Sequence, residues 1–352
     1  MTSETQQTAT RAFGAESRRQ LLEEYFASAG DVTSTNAWRH VYRLLAWIDR
    51  TTGLVHCYES DKSQPGRAWY GRSLAFHGWL AAEFSIPPKE LGSSLDWLFR
   101  RAAERLSVLL EKQRAYWVTN GVAQRSVFVG DEFPLPGEDP EIASLINQEL
   151  GPLFREPPSR DVIRSLTRRI NQYISEENKR KNLVGEGFED VLAFLFERFS
   201  AGRGWRVLAR PLLHDIPGFR PPPAGQKPRR VDLAIISPDN DRTLVTAKWS
   251  VRADREEQFG VDFENYARLD DAGRNFGFVL VTNEFDAARL TAACERRVQN
   301  AALLSAVVHV NPRGVLSAYG PEAKRSAGLL AGHLKTSRLI GLKEWFDQLI
   351  PG

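Results

Sequence analysis

The sequence is poor in the residues that build metal cages and covalent scaffolds. Its 352 residues include only two cysteines, Cys57 and Cys294. Two thiols cannot make a disulfide framework or a four-thiolate zinc site. The six histidines show no H-E-x-x-H spacing, which argues against a zinc hydrolase. No run of about 18 apolar residues occurs, so no segment is suited to span a bilayer as a helix. The stretch MTSETQQTATRAFGAES is polar and lacks the apolar core of a secretory signal, so the expected location is the cytoplasm. Internal repeats and long low-complexity tracts are missing as well. Gly185-x-Gly187 lacks the Gly-Lys-Ser/Thr ending of a phosphate-binding loop, and no strand feeds it.

What is present describes an ordinary globular chain, 42% hydrophobic and 26% charged, with room for one large or two medium domains. The net charge of +3 is unevenly spread: residues 1–150 carry −3, 151–230 carry +7 and 231–352 carry −1. The basic middle is the part suited to a polyanion, although solvated helix faces leave the same mark.

Helical periodicity dominates the first third. RRQLLEEYFASAG ends on a glycine stop. Ser34 or Thr35 is placed to cap AWRHVYRLLAWID, with Trp38, Val41, Leu44, Leu45 and Ile48 on one stripe. SLAFHGWLAAEF and SSLDWLFRRAAERLSVLLEKQRAYW are further helices. The loop TTGLVHCYESDKSQPGRAWYGR is dense in aromatic and polar residues and reads as a structural or recognition loop. His56 and Cys57 are sequence neighbours and so do not form a dyad. FPLPGEDPE at 133–141 marks a boundary, and the arginine-rich helix DVIRSLTRRINQYISEEN follows it. From residue 183 the pattern becomes helix, three strands, helix, strand, helix, strand, and a last helix LIGLKEWFDQLI. The expected fold class is α/β with a mixed sheet. Its expected organisation is an N-terminal helical domain (1–140), a basic helical connector (141–182) and an α/β domain (183–352). Thr282-Asn283-Glu284 is expected to cap the helix after FGFVLVT, with its polar groups near a nucleic-acid backbone.

Within the α/β part, Asp232 opens one strand of a hairpin and Lys248 lies near the end of the next. Thr246 and Lys248 are two apart and share a sheet face. A carboxylate that holds Mg²⁺ beside an ammonium that orients water is what phosphodiester hydrolysis requires. An isolated Asp and Lys near a hairpin are more often solvent-facing.

Lys248 is followed by Trp-Ser-Val-Arg252-Ala-Asp254-Arg255-Glu-Glu-Gln, where a strand becomes a helix. Together with Asp232 and Thr246, this run resembles the PD-(D/E)-x-K nucleases, and within them the type II restriction endonucleases that cut DNA at sites with a CCGG core. The close resemblance covers residues 229–268 and a looser one 183–310. It implies a restriction-endonuclease-like core in which Asp232 and Asp262 are metal ligands and Lys248 is the catalytic lysine. Arg252, Asp254 and Arg255 would read bases. Arginine can donate twice to guanine O6 and N7, and aspartate accepts from cytosine N4. Position 262, fourteen after the lysine, is Asp where the group has Glu, and Glu256 one turn earlier competes for the ligand role. Fifteen residues separate Asp232 from Lys248, a minimal hairpin where the group often carries a long insertion. Glu189 is the candidate for a glutamate that leans into the site from the preceding helix, with Glu186 next. A helix N-terminus rich in acids would look the same.

The resemblance further implies Mg²⁺ as cofactor and double-stranded DNA with a palindromic G·C-rich site as substrate. It also implies a homodimer or tetramer to supply two active sites, and a cognate DNA methyltransferase protecting host DNA. The nuclease domain would span 183–352, with residues 1–140 left for DNA binding, flanking-base recognition or dimerisation. Two alternatives stand beside it: a less specific repair or recombination nuclease, and a DNA-binding protein with a decayed nuclease core.

Overall fold

The computed structural model describes residues 12–59, 62–125, 138–153, 156, 158–251, 256–271, 273, 276–320 and 325–350. The chain divides into two compact units, one of Met1–Arg18 with Arg100–Leu183 and one of Arg19–Phe99 with Val184–Gly352. Among the described residues no helix is long and apolar enough to cross a membrane.

The helices of the first third are α1 (Ala15–Ser28), α2 (Ala37–Leu45), α3 (Ala68–Phe84) and α4 (Trp97–Arg125). α5 (Pro140–Leu150) and α6 (Arg160–Phe199) follow. Helix α2 stops at Leu45, earlier than its apolar stripe suggests. The chain turns there because Asp49 Oδ1 accepts from Thr51 N at 2.8 Å, and Ile48 forms a bridge with Val55. Neither Ser34 nor Thr35 caps α2: Asn36 holds that position and makes no side-chain cap bond. The two helices expected on either side of residue 180 are one helix of 40 residues. Gly185 and Gly187 lie inside it without positive φ. Glycine costs a helix interior about 1 kcal/mol but does not stop it unless the backbone turns left-handed, and no proline intervenes.

The first unit is helical. It holds most of α4, all of α5 and α6 as far as Leu183. Asp139 caps α5 by accepting from Ile142 N at 3.1 Å, and its other oxygen accepts from Asn171 on α6.

The second unit contains the sheet. β1 (Arg206–Ala209), β2 (Leu233–Ile236) and β3 (Arg242–Lys248) run antiparallel to one another. Helix α7 (Glu256–Leu269) leads to β4 (Phe276–Thr282), which is parallel to β3. Helix α8 (Ala287–Glu295) and the small hairpin β5 (Arg297–Val298) and β6 (Ala301–Ala302) come next. Then follow β7 (Ala306–His309), α9 (Pro312–Tyr319), α10 (Arg325–Lys335), β8 (Leu339–Gly341) and α11 (Leu342–Leu349). The sheet order is β1-β2-β3-β4-β7-β8, a mixed α/β fold of the class the sequence pattern predicts. Strand β2 is buried at every position, and so are the last five residues of β4. Both strands therefore read as unbroken apolar runs rather than as alternation. β8 is a sixth strand that the sequence pattern assigns to the last helix.

The division at 140 and the helical module over 1–140 differ from what is observed. Residues Arg19–Phe99 group with the sheet, and the 141–182 connector belongs with 100–139. The cause is packing at the C-terminal end of β4. Tyr42 donates to Asn283 Oδ1 at 2.9 Å, and Tyr58 donates to the Phe285 carbonyl at 2.9 Å. Phe76 lies 4.3 Å from Phe285 between ring centroids. The boundary motif at 133–137 lies outside the described residues. Asp286, not Thr282-Asn283-Glu284, caps α8, accepting from Ala288 N at 2.9 Å.

Helices α3 and α9 meet at Gly314, where an added Cβ would lie 2.9 Å from Trp79 and 3.2 Å from Phe76. Gly314→Ala is expected to lower stability by about 1–3 kcal/mol through overpacking. Urea unfolding measures it, and an unchanged midpoint would show that the two rings yield freely.

Candidate active site

The register of the β2–β3 hairpin sets the site. Leu233 pairs with Val245, so the next step outward sets Asp232 beside Thr246, on the face that Lys248 shares. Asp232 Oδ2 accepts three hydrogen bonds: from Lys248 Nζ at 2.7 Å, from the Ala247 backbone N–H at 2.9 Å and from Thr246 Oγ1 at 3.3 Å. Among the described residues none donates to Oδ1. The Asp232 and Lys248 side chains keep 24% and 26% of their exposure, so the pair is held by protein yet open to a ligand.

Two more acids lie in electrostatic reach. Glu189 sits in the interior of α6, so an N-terminal helix dipole does not account for it. Burial pushes its carboxyl up to about 7, the charge of Asp232 adds to the rise, and the hydrogen bond from Arg210 opposes it. Glu186, one turn earlier, is exposed. Asp262 is half-buried on α7. Burial raises its pKa; Arg229 opposes, Asp232 adds and Lys248 opposes. The core stripe of α7 is formed as its spacing predicts: Phe259 and Tyr266 are buried, and Phe263 meets the rings of Phe276 and Phe278. That stripe fixes the rotation of α7 and carries Asp262 at its edge toward Asp232 and Lys248.

The structure thus brings Asp232, Lys248, Thr246, Glu189 and Asp262 into one neighbourhood. Arg252, Asp254 and Arg255 lie outside the described residues, as does the side chain of Glu256 at the start of α7. Among the described residues no three His, Cys, Asp or Glu side chains stand close enough together to form a complete metal cage. Mg²⁺ does not need one: it keeps several waters and takes one or two carboxylates together with substrate phosphate oxygens. The all-oxygen donor set and the unengaged Asp232 Oδ1 suit such a hard cation.

The sequence pattern does not predict two further participants in these roles: it does not single out Arg210, and it assigns Glu284 only to a helix cap. Arg210 follows the last residue of β1 and reaches back to α6, donating to Glu189 Oε2 at 3.1 Å and pairing with Asp190. Glu284 is buried at 3% exposure and accepts from Val251 N at 2.8 Å and from Asp286 N at 2.7 Å. Trp249 O accepts from Asn283 N at 3.0 Å. The end of β4 therefore holds the chain that leaves Lys248. His56 and Cys57 make no nucleophile: the His56 ring stacks on Trp47 at 4.2 Å. Burial pushes the Cys57 thiol up to about 12.

Because Glu189 binds its proton more tightly when folded than at its ordinary value of 4.5, its contribution to stability falls as pH rises from about 4.5 to about 7. Glu189→Gln should remove that fall. In metal-free buffer, the stability of the native chain relative to Glu189→Gln is expected to drop by up to about 3 kcal/mol between pH 5 and pH 8. Denaturant melts at the two pH values test it, and parallel profiles would count against a raised Glu189.

No protein-family model matches the chain. Comparison with curated proteins gives no match either. Among solved structures it is similar to one described as a restriction endonuclease PspGI–substrate DNA complex, at 12% identity and a TM-score of 0.37. That match spans 72% of this chain and 76% of the other. A likeness at that score is too slight to define a fold by itself.

Proposed function

We propose that the protein is a divalent-metal-dependent endodeoxyribonuclease of the type II restriction kind. The observation that carries this reading is the Asp232–Lys248 contact at 2.7 Å, set by strand register and flanked by Glu189 and Asp262. A structural ion pair at a hairpin does not call for two further half-buried acids. Their burial and the charge of Asp232 on each of them are the cost of a site that takes a cation.

In this reading Asp232 and Asp262 hold Mg²⁺, with Glu189 as a nearby third carboxylate. When bound, the ion polarises the scissile phosphate and offsets charge on the leaving oxygen. Asp232 Oδ2 fixes the Lys248 ammonium. Lys248 in turn orients a water for in-line attack and balances the charge that grows on the phosphate oxygens. The new P–O bond forms from the water oxygen, which gives up a proton to solvent. The P–O bond to the sugar breaks, and the leaving oxygen takes up a proton from solvent. Arg252, Asp254 and Arg255 follow Lys248 by only a few residues and read a G·C-rich, CCGG-like site, which ties recognition to cutting. A palindromic site calls for two copies of the chain, and a homodimer supplies them. A partner DNA methyltransferase would protect host sites.

Incubation with plasmid DNA and Mg²⁺, followed by sequencing of fragment ends, tests the reading: discrete ends within one short sequence are expected. A smear would favour a less specific nuclease, and intact DNA that is nonetheless bound would favour a decayed core. Lys248→Ala should lower cleavage by about 10²-fold or more while DNA binding stays near native. Asp232→Ala should abolish Mg²⁺-supported cutting. Cleavage at the native rate by either variant would remove that residue from the mechanism. Arg252→Ala should cost about 1–3 kcal/mol of cognate over non-cognate discrimination, and an unchanged ratio would leave it with phosphate or with nothing.

A further inference from the structure

One residue outside this set touches both carboxylate-bearing elements. Arg210 Nη1 donates to Glu189 Oε2 at 3.1 Å and to the Glu186 carbonyl at 3.4 Å, while its Nη2 pairs with Asp190. All three partners lie on α6. Its backbone N–H donates to the Asp232 carbonyl at 2.9 Å, and its own carbonyl accepts from Arg230 Nη1 at 2.9 Å. Its φ is +51°, a left-handed conformation that is unfavourable for a residue with a Cβ and persists where the surroundings over-determine it. The bonds at its N–H, carbonyl and guanidinium supply that constraint.

We propose that Arg210 is a positioning residue of the hydrolytic site. Its guanidinium fork fixes Glu189, its backbone fixes Asp232, and the two carboxylates are thereby held at one separation before cation and phosphate arrive. The proposal rests on the nuclease reading above.

The alternative use of an arginine at such a site is to grip a DNA phosphate. Both Nη atoms of Arg210 are committed to α6, and the side chain keeps only 28% of its exposure. Arg229 is exposed and lies within electrostatic reach of Asp262, so it is the better phosphate ligand. A planar fork spans Glu189 and Asp190 together, which a single ammonium does not. With Oε2 taken by Arg210, Glu189 keeps Oε1 free of any described donor, as Asp232 keeps Oδ1. Each carboxylate therefore has one oxygen committed to protein and one available.

The experiment is a double-variant cycle on cleavage of a duplex oligonucleotide by the full chain in Mg²⁺. Arg210→Met is expected to lower kcat about 10- to 100-fold with KM for DNA within about twofold. Arg210→Lys should recover part of the loss. In a Glu189→Gln background, Arg210→Met should add less than about twofold, because the two act as a unit. If Arg210→Met does not fold by circular dichroism, Arg210→Lys and Arg210→Gln carry the same comparison. An unchanged kcat, a loss confined to KM, or fully additive losses would overturn the positioning role while leaving the nuclease intact. A native chain that cuts no DNA with any divalent ion would overturn both.

Discussion

One carboxylate oxygen organises the site. Asp232 Oδ2 receives the Lys248 ammonium, the Ala247 N–H and the Thr246 hydroxyl, and all three donors belong to the last turn of the pleat in β3. The arrangement exists only in the observed register. A slip of one residue would turn Thr246 and Lys248 to the opposite face. Register is in turn protected by β2, whose four residues are buried and would lose their apolar surroundings in any other pairing. The chemistry at the strand ends is thus secured by the hydrophobic effect a few ångströms away.

Around that oxygen the protein gathers more negative charge than it neutralises. Among the described residues, Glu189, Asp190, Asp232 and Asp262 face Lys248, Arg210 and Arg229. Glu189 and Asp262 are both raised by burial first and by the charge of Asp232 in addition. A fold does not accumulate such repulsion for stability, since replacing any one of the acids by a neutral side chain would relieve it. Arg210 moderates the repulsion on the α6 side, where its charge-assisted bonds hold Glu189 and Asp190.

Helices α2 and α3 and the loop between them pack at the C-terminal end of β4, where Thr282 pairs with Lys248. Tyr42, Tyr58 and Phe76 close on Asn283 and Phe285. Glu284, enclosed in the same corner, receives the Val251 N–H. The segment leaving Lys248 is therefore anchored by β4 and its flank, a few residues before the candidate base-reading block. From the loop before α3, Tyr58 packs into that corner, and the neighbouring His56 and Cys57 make no nucleophile.

The strands β1 to β4 and β7 and the helix stripes were legible in the sequence, because apolar runs and period-3.6 stripes are local. Asp232 and Lys248 stood out because the hairpin joining them is short, and Asp262 stood out only through the family resemblance. The length of α6 was not, because a mid-helix glycine pair and a helix break differ only in whether distant residues pack across the pair. Here the buried residues Val184, Phe188, Val191 and Leu195 hold the helix through. The unit division was not legible either, since aromatic residues near positions 42, 58 and 76 meet partners more than 200 residues away. Arg210 had no signal, and Glu284 only that of a helix cap: a lone arginine after a strand and a lone glutamate after another gain their meaning only from what they face. The sequence by itself determined which elements form and which residues carry reactive groups, because hydrogen-bonding geometry and apolar periodicity act over a few residues. Only the tertiary structure decided which acid leans on Asp232, which cation restrains it and which helices close the corner, because burial and charge–charge distance depend on segments that the chain brings together from far apart.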